Sequence, residues 1–195
     1  MGGRLTSHFT GTAVLLAVLS LPAGPLHAEG IEDKVQLCTG CHGADGKPAD
    51  KTIPVIWGQQ AGYLYIELRD FKRGDRKNDI MQPIASAFER DDMMAIAQYF
   101  SSKPWPDLGQ PRASKDVSNR ALSADRSVGC TGCHLDHFQG DGTVPRLAGQ
   151  SRDYLARTMA DFRTRARGNN PGMSDLMLAT SPDDLAALAE YLSGL

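Results

Sequence analysis

All four cysteines of the chain fall in two short segments, Cys38-Thr-Gly-Cys41-His42 and Cys130-Thr-Gly-Cys133-His134. Each is a C-x-x-C-H motif, the spacing of covalent c-type haem attachment. The chemistry accounts for the spacing. Two thiols add across the two vinyl groups of one haem. A two-residue gap on a helical turn puts both sulfurs on one side, and the histidine that follows brings its imidazole to the iron. Other uses of the thiols explain less. One structural zinc held by four cysteines leaves a histidine after each pair without a role. A thioredoxin-like redox pair needs a βαβ context, and no strand pattern is visible. A disulfide within either pair is sterically awkward and gives no reason for His42 or His134. The motifs therefore predict two covalent haems c, each bringing one iron to a histidine.

The spacing also divides the chain. Cys38 and Cys130 lie 92 residues apart, and that offset relates much else. Asn78 matches Asn170, Asp91-Asp92 matches Asp183-Asp184, and Tyr99 matches Tyr191. In the middle of each half the offset slips to 91, where Pro54, Gly58, Gln59, Tyr63, Leu64 and Phe71 match Pro145, Gly149, Gln150, Tyr154, Leu155 and Phe162. A shift that reverses between matching blocks means compensating indels in loops, so the chain holds two copies of one domain. We expect the domains to span residues 29–103 and 114–195. The proline-rich stretch 104–113 between them favours an extended, semi-rigid connection. Trp105 in that stretch is read as packing against one domain. Each copy is small enough that an apolar core alone is marginal, and a covalent haem would complete it.

Composition excludes several classes. With 41% hydrophobic and 23% charged residues, the 195-residue chain is ordinary for a globular protein and wrong for a disordered one. A net charge of −2 argues against a broad nucleic-acid-binding surface. Residues 1–28 read as an export signal: Arg4, then the apolar run Thr12 to Leu21, then Pro22, Pro25 and a small-residue exit at Ala28. The run is shorter than the ~20 residues a membrane-spanning helix needs. Cleavage after Ala28 and a periplasmic mature protein are expected.

Both halves read as helices joined by loops, an all-α fold. Ile31, Val35 and Cys38 give the first attachment helix one apolar face. The segment before Cys130 is less regular, and Gly129 weakens it. Glycine-rich loops follow each motif. A second helix is expected near 60–73 and again near 151–166, with Tyr63, Ile66 and Phe71 facing inward. Ser181-Pro182-Asp183-Asp184 opens the last helix with a capping serine, a proline at its first position and acids in its first turn. Leu185, Leu188, Ala189 and Leu192 line one face of it.

The second axial position of each iron decides whether it carries electrons or meets small molecules. Met81, Met93 and Met94 are the candidates in the first half, and Met159, Met173 and Met177 in the second. Met81 and Met173 both follow their motif's first cysteine by 43 residues, and they alone share the 92-residue offset. Met93 and Met94 fit core packing in the last helix of the first half. Met159 falls inside a helix. Met177 remains the rival of Met173. His137, outside the motifs, is expected to be solvated.

The chain resembles the dihaem cytochrome c4 family. The residues carrying the likeness are the two C-x-x-C-H motifs and Pro54-Val-Ile-Trp-Gly-Gln59 with Pro145-Arg-Leu-Ala-Gly-Gln150. Asn78-Asp-Ile-Met-Gln-Pro-Ile-Ala85, Asn169-Asn-Pro-Gly-Met173 and the C-terminal Leu188 to Leu195 add to it. The resemblance implies two class I cytochrome c domains related by a pseudo-twofold axis, with their haems close together. His42 with Met81 and His134 with Met173 would be the axial pairs, and the carbonyls of Pro54 and Pro145 would accept a hydrogen bond from the proximal histidines. It further implies a periplasmic electron carrier, monomeric, soluble or held at the membrane surface, often delivering electrons to a terminal oxidase. Two departures stand out. Ser174-Asp-Leu-Met177-Leu replaces Gln82-Pro-Ile-Ala-Ser86, and Asp136-His137-Phe138 is unlike Ala44-Asp45-Gly46.

Two other functions are weighed beside carriage. A cytochrome subunit of a periplasmic dehydrogenase would differ little in sequence. A dihaem peroxidase would need an open or His-ligated iron, and no distal acid or base stands out. The basic clusters Arg69-Lys72-Arg73-Arg76-Lys77 and Arg157-Arg163-Arg165-Arg167 are read as solvated helix faces, or as partners of haem propionates or of a docking protein.

Overall fold

The computed structural model describes residues 1–3 and 30–195. From residue 4 onward the expected export signal lies outside the described residues. Four helices form the first copy: α1 (Ile31–His42), α2 (Ala61–Arg73), α3 (Met81–Ser86) and α4 (Arg90–Ser101). The second copy has α5 (Lys115–Val128), α6 (Thr131–His134), α7 (Arg152–Thr164), α8 (Pro171–Ala179) and α9 (Pro182–Ser193). A short 3-10 turn, Asp136–Phe138, follows α6. The described residues contain no strand beyond one isolated bridge between Asp141 and Val144. None of their helices is long and apolar enough to cross a membrane.

The caps read from the sequence hold the helix starts. Ser181 Oγ accepts the Asp184 N–H at 3.2 Å, and Pro182 opens α9. Its partner α4 uses a reciprocal box instead, in which the Glu89 N–H donates to the Asp92 carboxylate and the Glu89 side chain accepts from the Asp92 backbone. The attachment helices differ between copies. α1 runs unbroken through its motif, whereas Gly129 adopts the left-handed conformation, ends α5, and leaves the second motif on the separate turn α6.

In each copy the apolar faces converge on one core. Val35, Leu64, Ile96 and Phe100 anchor the first, with Cys38 packed against it. Leu155, Phe162, Leu185, Leu188 and Leu192 anchor the second, with Cys130 and Met173 packed against it. Phe71 is buried as expected, but Tyr63 faces the other copy, where its hydroxyl accepts from Arg167 at 3.3 Å. Met93 is core, whereas Met94 is 47% exposed on the outer face of α4.

The seam between copies is built from matched residues. The Gln59 side chain bonds both backbone groups of Arg146: its Oε1 accepts the N–H at 2.8 Å and its Nε2 donates to the carbonyl at 3.0 Å. Gln150 treats Val55 in the same way, at 2.9 and 3.0 Å. Gly58 and Gly149 precede these glutamines with φ of 65° and 75°, a conformation that favours glycine. Their N–H groups donate to the matched carbonyls of Phe100 and Leu192. Trp105 packs against both copies, since its atoms lie where a Cβ on either glycine would sit. The Arg146 guanidinium covers its ring, 4.5 Å from the centroid.

Replacing Gln150, 2% exposed, by alanine strands a buried backbone donor and acceptor on Val55. Denaturant unfolding should show a loss of about 2 kcal/mol. Leu135 follows the second motif with φ 61° and ψ 172°, a region populated almost only by glycine. Gly43 holds the equivalent place in the first copy with φ 88°. Leu135→Gly should therefore stabilise the protein by about 1 kcal/mol in the same measurement.

Candidate functional site

Each motif presents its histidine inward and its thiols at the rim. His42 and His134 are buried, Cys38 and Cys130 half-buried, and Cys41 and Cys133 exposed. The Nδ1–H of His42 donates to the Pro54 carbonyl at 2.8 Å, and that of His134 to the Pro145 carbonyl at 2.9 Å. A carbonyl only accepts, so Nδ1 carries the proton in both rings. Nε2 is left with its lone pair free for a metal. Burial holds both imidazoles below the usual histidine range, and the bonds to proline pull weakly the other way. Both rings are thus neutral and oriented, as an iron ligand must be.

The thiols fit haem attachment better than a zinc cage. Burial pushes Cys38 and Cys130 up to about 11, so both are protonated thiols. All four cysteines are free, and among the described residues no group of three or more Cys, His, Asp or Glu lies close enough to hold a metal ion. The two pairs are therefore not gathered into one site. Each copy has its own motif, histidine and apolar wall, the donor set of a covalent haem.

The methionine segments are also built alike. Asn78 Oδ1 accepts the Met81 N–H at 2.9 Å, and Asn170 Oδ1 accepts the Met173 N–H at 3.1 Å. Met81 opens α3 and Met173 lies in the first turn of α8, both half-buried. Met177 is 2% exposed in the second core, and its counterpart Ala85 is fully buried in the first. Met159 is core, and His137 is exposed in its loop.

The basic clusters divide. Arg69, Lys72, Arg163 and Arg165 bond to carboxylates or backbone carbonyls of their own copy. Arg76 and Arg167 instead turn into the seam. Arg76 donates to the Tyr154 hydroxyl and Arg167 to that of Tyr63, each at 3.3 Å. Their guanidiniums also stack on the matched rings of Phe71 and Phe162, at 4.6 and 4.4 Å. The reading as solvated helix faces therefore fails for these two arginines. Charge runs alone gave no sign of it, although the tyrosines they meet are matched between the copies.

No protein-family model matches the chain. Among characterised proteins it is 36% identical to the thiosulfate dehydrogenase electron acceptor of Stutzerimonas stutzeri (strain A1501), over 85% of this chain and 82% of that protein. It is 32% identical to cytochrome c4 of Azotobacter vinelandii, over 93% of this chain and 96% of that one. The crystal structure of reduced recombinant cytochrome c4 from Pseudomonas stutzeri superposes with a TM-score of 0.75 at 29% identity, covering 89% of this chain and all of the other. Likeness over nearly the whole length, in sequence and in fold, accounts for the doubled motif: the chain belongs to the dihaem cytochrome c4 family and is an electron-transfer protein with two covalently bound haems c.

Proposed function

We propose that Cys38 and Cys41 hold one haem and Cys130 and Cys133 the other. His42 with Met81 would hold one iron, and His134 with Met173 the other. The observation that carries this assignment is the repetition of two local arrangements, His bonded to a Pro carbonyl and Met capped by Asn, in both copies. Met177 is set aside because it fills the core position that Ala85 fills in the first copy. When bound, each haem iron takes up and releases one electron.

The chain's own residues do the rest. The Pro54 and Pro145 carbonyls fix the imidazoles and make their free nitrogens more basic. The apolar cores exclude water from the ligands. The glutamine bridges and Trp105 keep the two sites at a constant separation, so electron transfer between bound haems would need no domain motion. We place the domain boundary along residues 104–113.

The donor side is a dehydrogenase of the periplasm and the acceptor a terminal oxidase, with the chain exported, cleaved after Ala28 and acting as a monomer. The relative named as a thiosulfate dehydrogenase electron acceptor supports a sulfur-oxidising donor in particular. A stable subunit of such a dehydrogenase is the second reading favoured by the same relative. The peroxidase reading has less support, because His137 is exposed and each copy offers a capped methionine.

A redox titration of the purified protein followed by absorption should show two low-spin haems per chain. Both should carry the Met–Fe(III) charge-transfer band in the red. Met81→Ala and Met173→Ala should each abolish half of that band, and Met177→Ala should keep it whole while lowering stability by roughly 2–5 kcal/mol. Loss of the band in Met177→Ala but not in Met173→Ala would reverse the assignment. Mixing the oxidised protein with a thiosulfate dehydrogenase and thiosulfate should reduce both haems; failure to reduce either would remove the sulfur-oxidising donor.

A further inference from the structure

We propose that Glu67 is a positioning residue for both distal-ligand segments at once, a single buried carboxylate through which the two haem sites are anchored to each other. This rests on Met81 and Met173 being the ligands.

Glu67 lies on α2, 8% exposed, facing the seam. Its Oε2 accepts from Arg76 Nη1 at 2.6 Å and its Oε1 from Arg167 Nη2 at 2.5 Å. The Asn169 amide reaches the same carboxylate at 3.2 Å and Asp70 Oδ2 at 2.9 Å. These partners are the roots of the two methionine segments. Arg76 stands five residues before Met81, on the stretch whose Asn78 caps the Met81 N–H. Arg167 and Asn169 stand six and four residues before Met173, on the stretch whose Asn170 caps the Met173 N–H. One carboxylate thus ties the bases of both segments together.

The arrangement breaks the symmetry of the duplication. At the 91-residue offset the counterpart of Glu67 is Thr158, which cannot bind two guanidiniums. The offset returns to 92 between Arg167 and Asn170, where Gly168-Asn169 stands in place of Lys77 alone. The extra residue there supplies the amide that meets Glu67 and Asp70. Two buried guanidiniums without this carboxylate would face each other uncompensated, and each would have to turn toward water, taking the base of a methionine segment with it.

The test is imidazole binding to the oxidised dihaem protein. Imidazole must displace methionine from the iron, so its affinity reports how firmly each segment is held. Glu67→Gln keeps the shape and removes the charge. It should raise imidazole affinity about tenfold or more at both haems, the scale expected for a lost charged hydrogen bond. Asn169→Ala should raise it at one haem only. Gln60→Ala removes a seam bond to the Gln139 and Gly140 carbonyls, away from the methionine segments and the proline carbonyls, and should leave both affinities unchanged. If Glu67→Gln fails to accumulate, Glu67→Asp is read by the same criterion. Affinities within twofold of the unmodified protein, a response confined to one haem, or an equal rise in Gln60→Ala would each overturn the anchor while the methionine ligands stand. A charge-transfer band missing from the unmodified protein would overturn the ligand assignment and the anchor with it.

Discussion

A backbone N–H and C=O taken out of water must find partners, and at the seam of this protein each copy finds them on the other. Gln59 and Gln150 both spend a whole side-chain amide on one residue of the opposite copy. The residues they satisfy, Arg146 and Val55, directly follow the prolines that orient the two histidines. The bond that holds the copies together therefore lies one residue from the bond that orients each buried histidine. A shift of the seam would move the Pro54 and Pro145 carbonyls, and a rigid seam keeps both imidazoles aligned. The two glycines with positive φ are needed for the same reason: they bring each glutamine into reach while returning the chain to its own last helix.

Around that fixed centre the copies have diverged where the chemistry tolerates it. The histidine, its proline and the capped methionine recur with nearly the same distances. The scaffolding does not. α1 continues through its motif while α5 stops at Gly129, and Leu135 takes a conformation that its counterpart reaches as glycine. The matched core position holds Ala85 in one copy and Met177 in the other. These differences sit beside the buried histidines and capped methionines rather than among them, so they alter the stiffness and polarity around those side chains without replacing them.

Much of this was legible in the residues, for identifiable reasons. The motifs are local and their spacing is chemical, so Cys38, His42 and their partners needed no tertiary information. The duplication paired Asn78 with Asn170 and Pro54 with Pro145, and those pairs make matching hydrogen bonds. The capping pattern at Ser181 and the apolar face of the last helix also hold. What stayed hidden lies at the seam. Periodicity says that one face of a helix is buried but not what buries it, so Tyr63 looked like a core residue and Arg76 and Arg167 like solvated charges. Trp105 looked like a linker residue leaning on one domain for the same reason. Met94 misled differently: it neighbours a buried methionine in sequence and points to the other side of the helix.

The unequal copies carry a consequence for how such a chain pairs. A seam with near-twofold symmetry is self-complementary in its backbone bridges, so either copy could in principle meet a second version of itself. The side chains break the tie. Two second copies face to face would set Arg167 against Arg167 with Thr158 where a carboxylate is needed. The first copy brings Glu67, and with it one negative charge between two positive ones. A pair of second copies is thereby disfavoured, and a first copy supplies the carboxylate that Arg167 of the second copy meets.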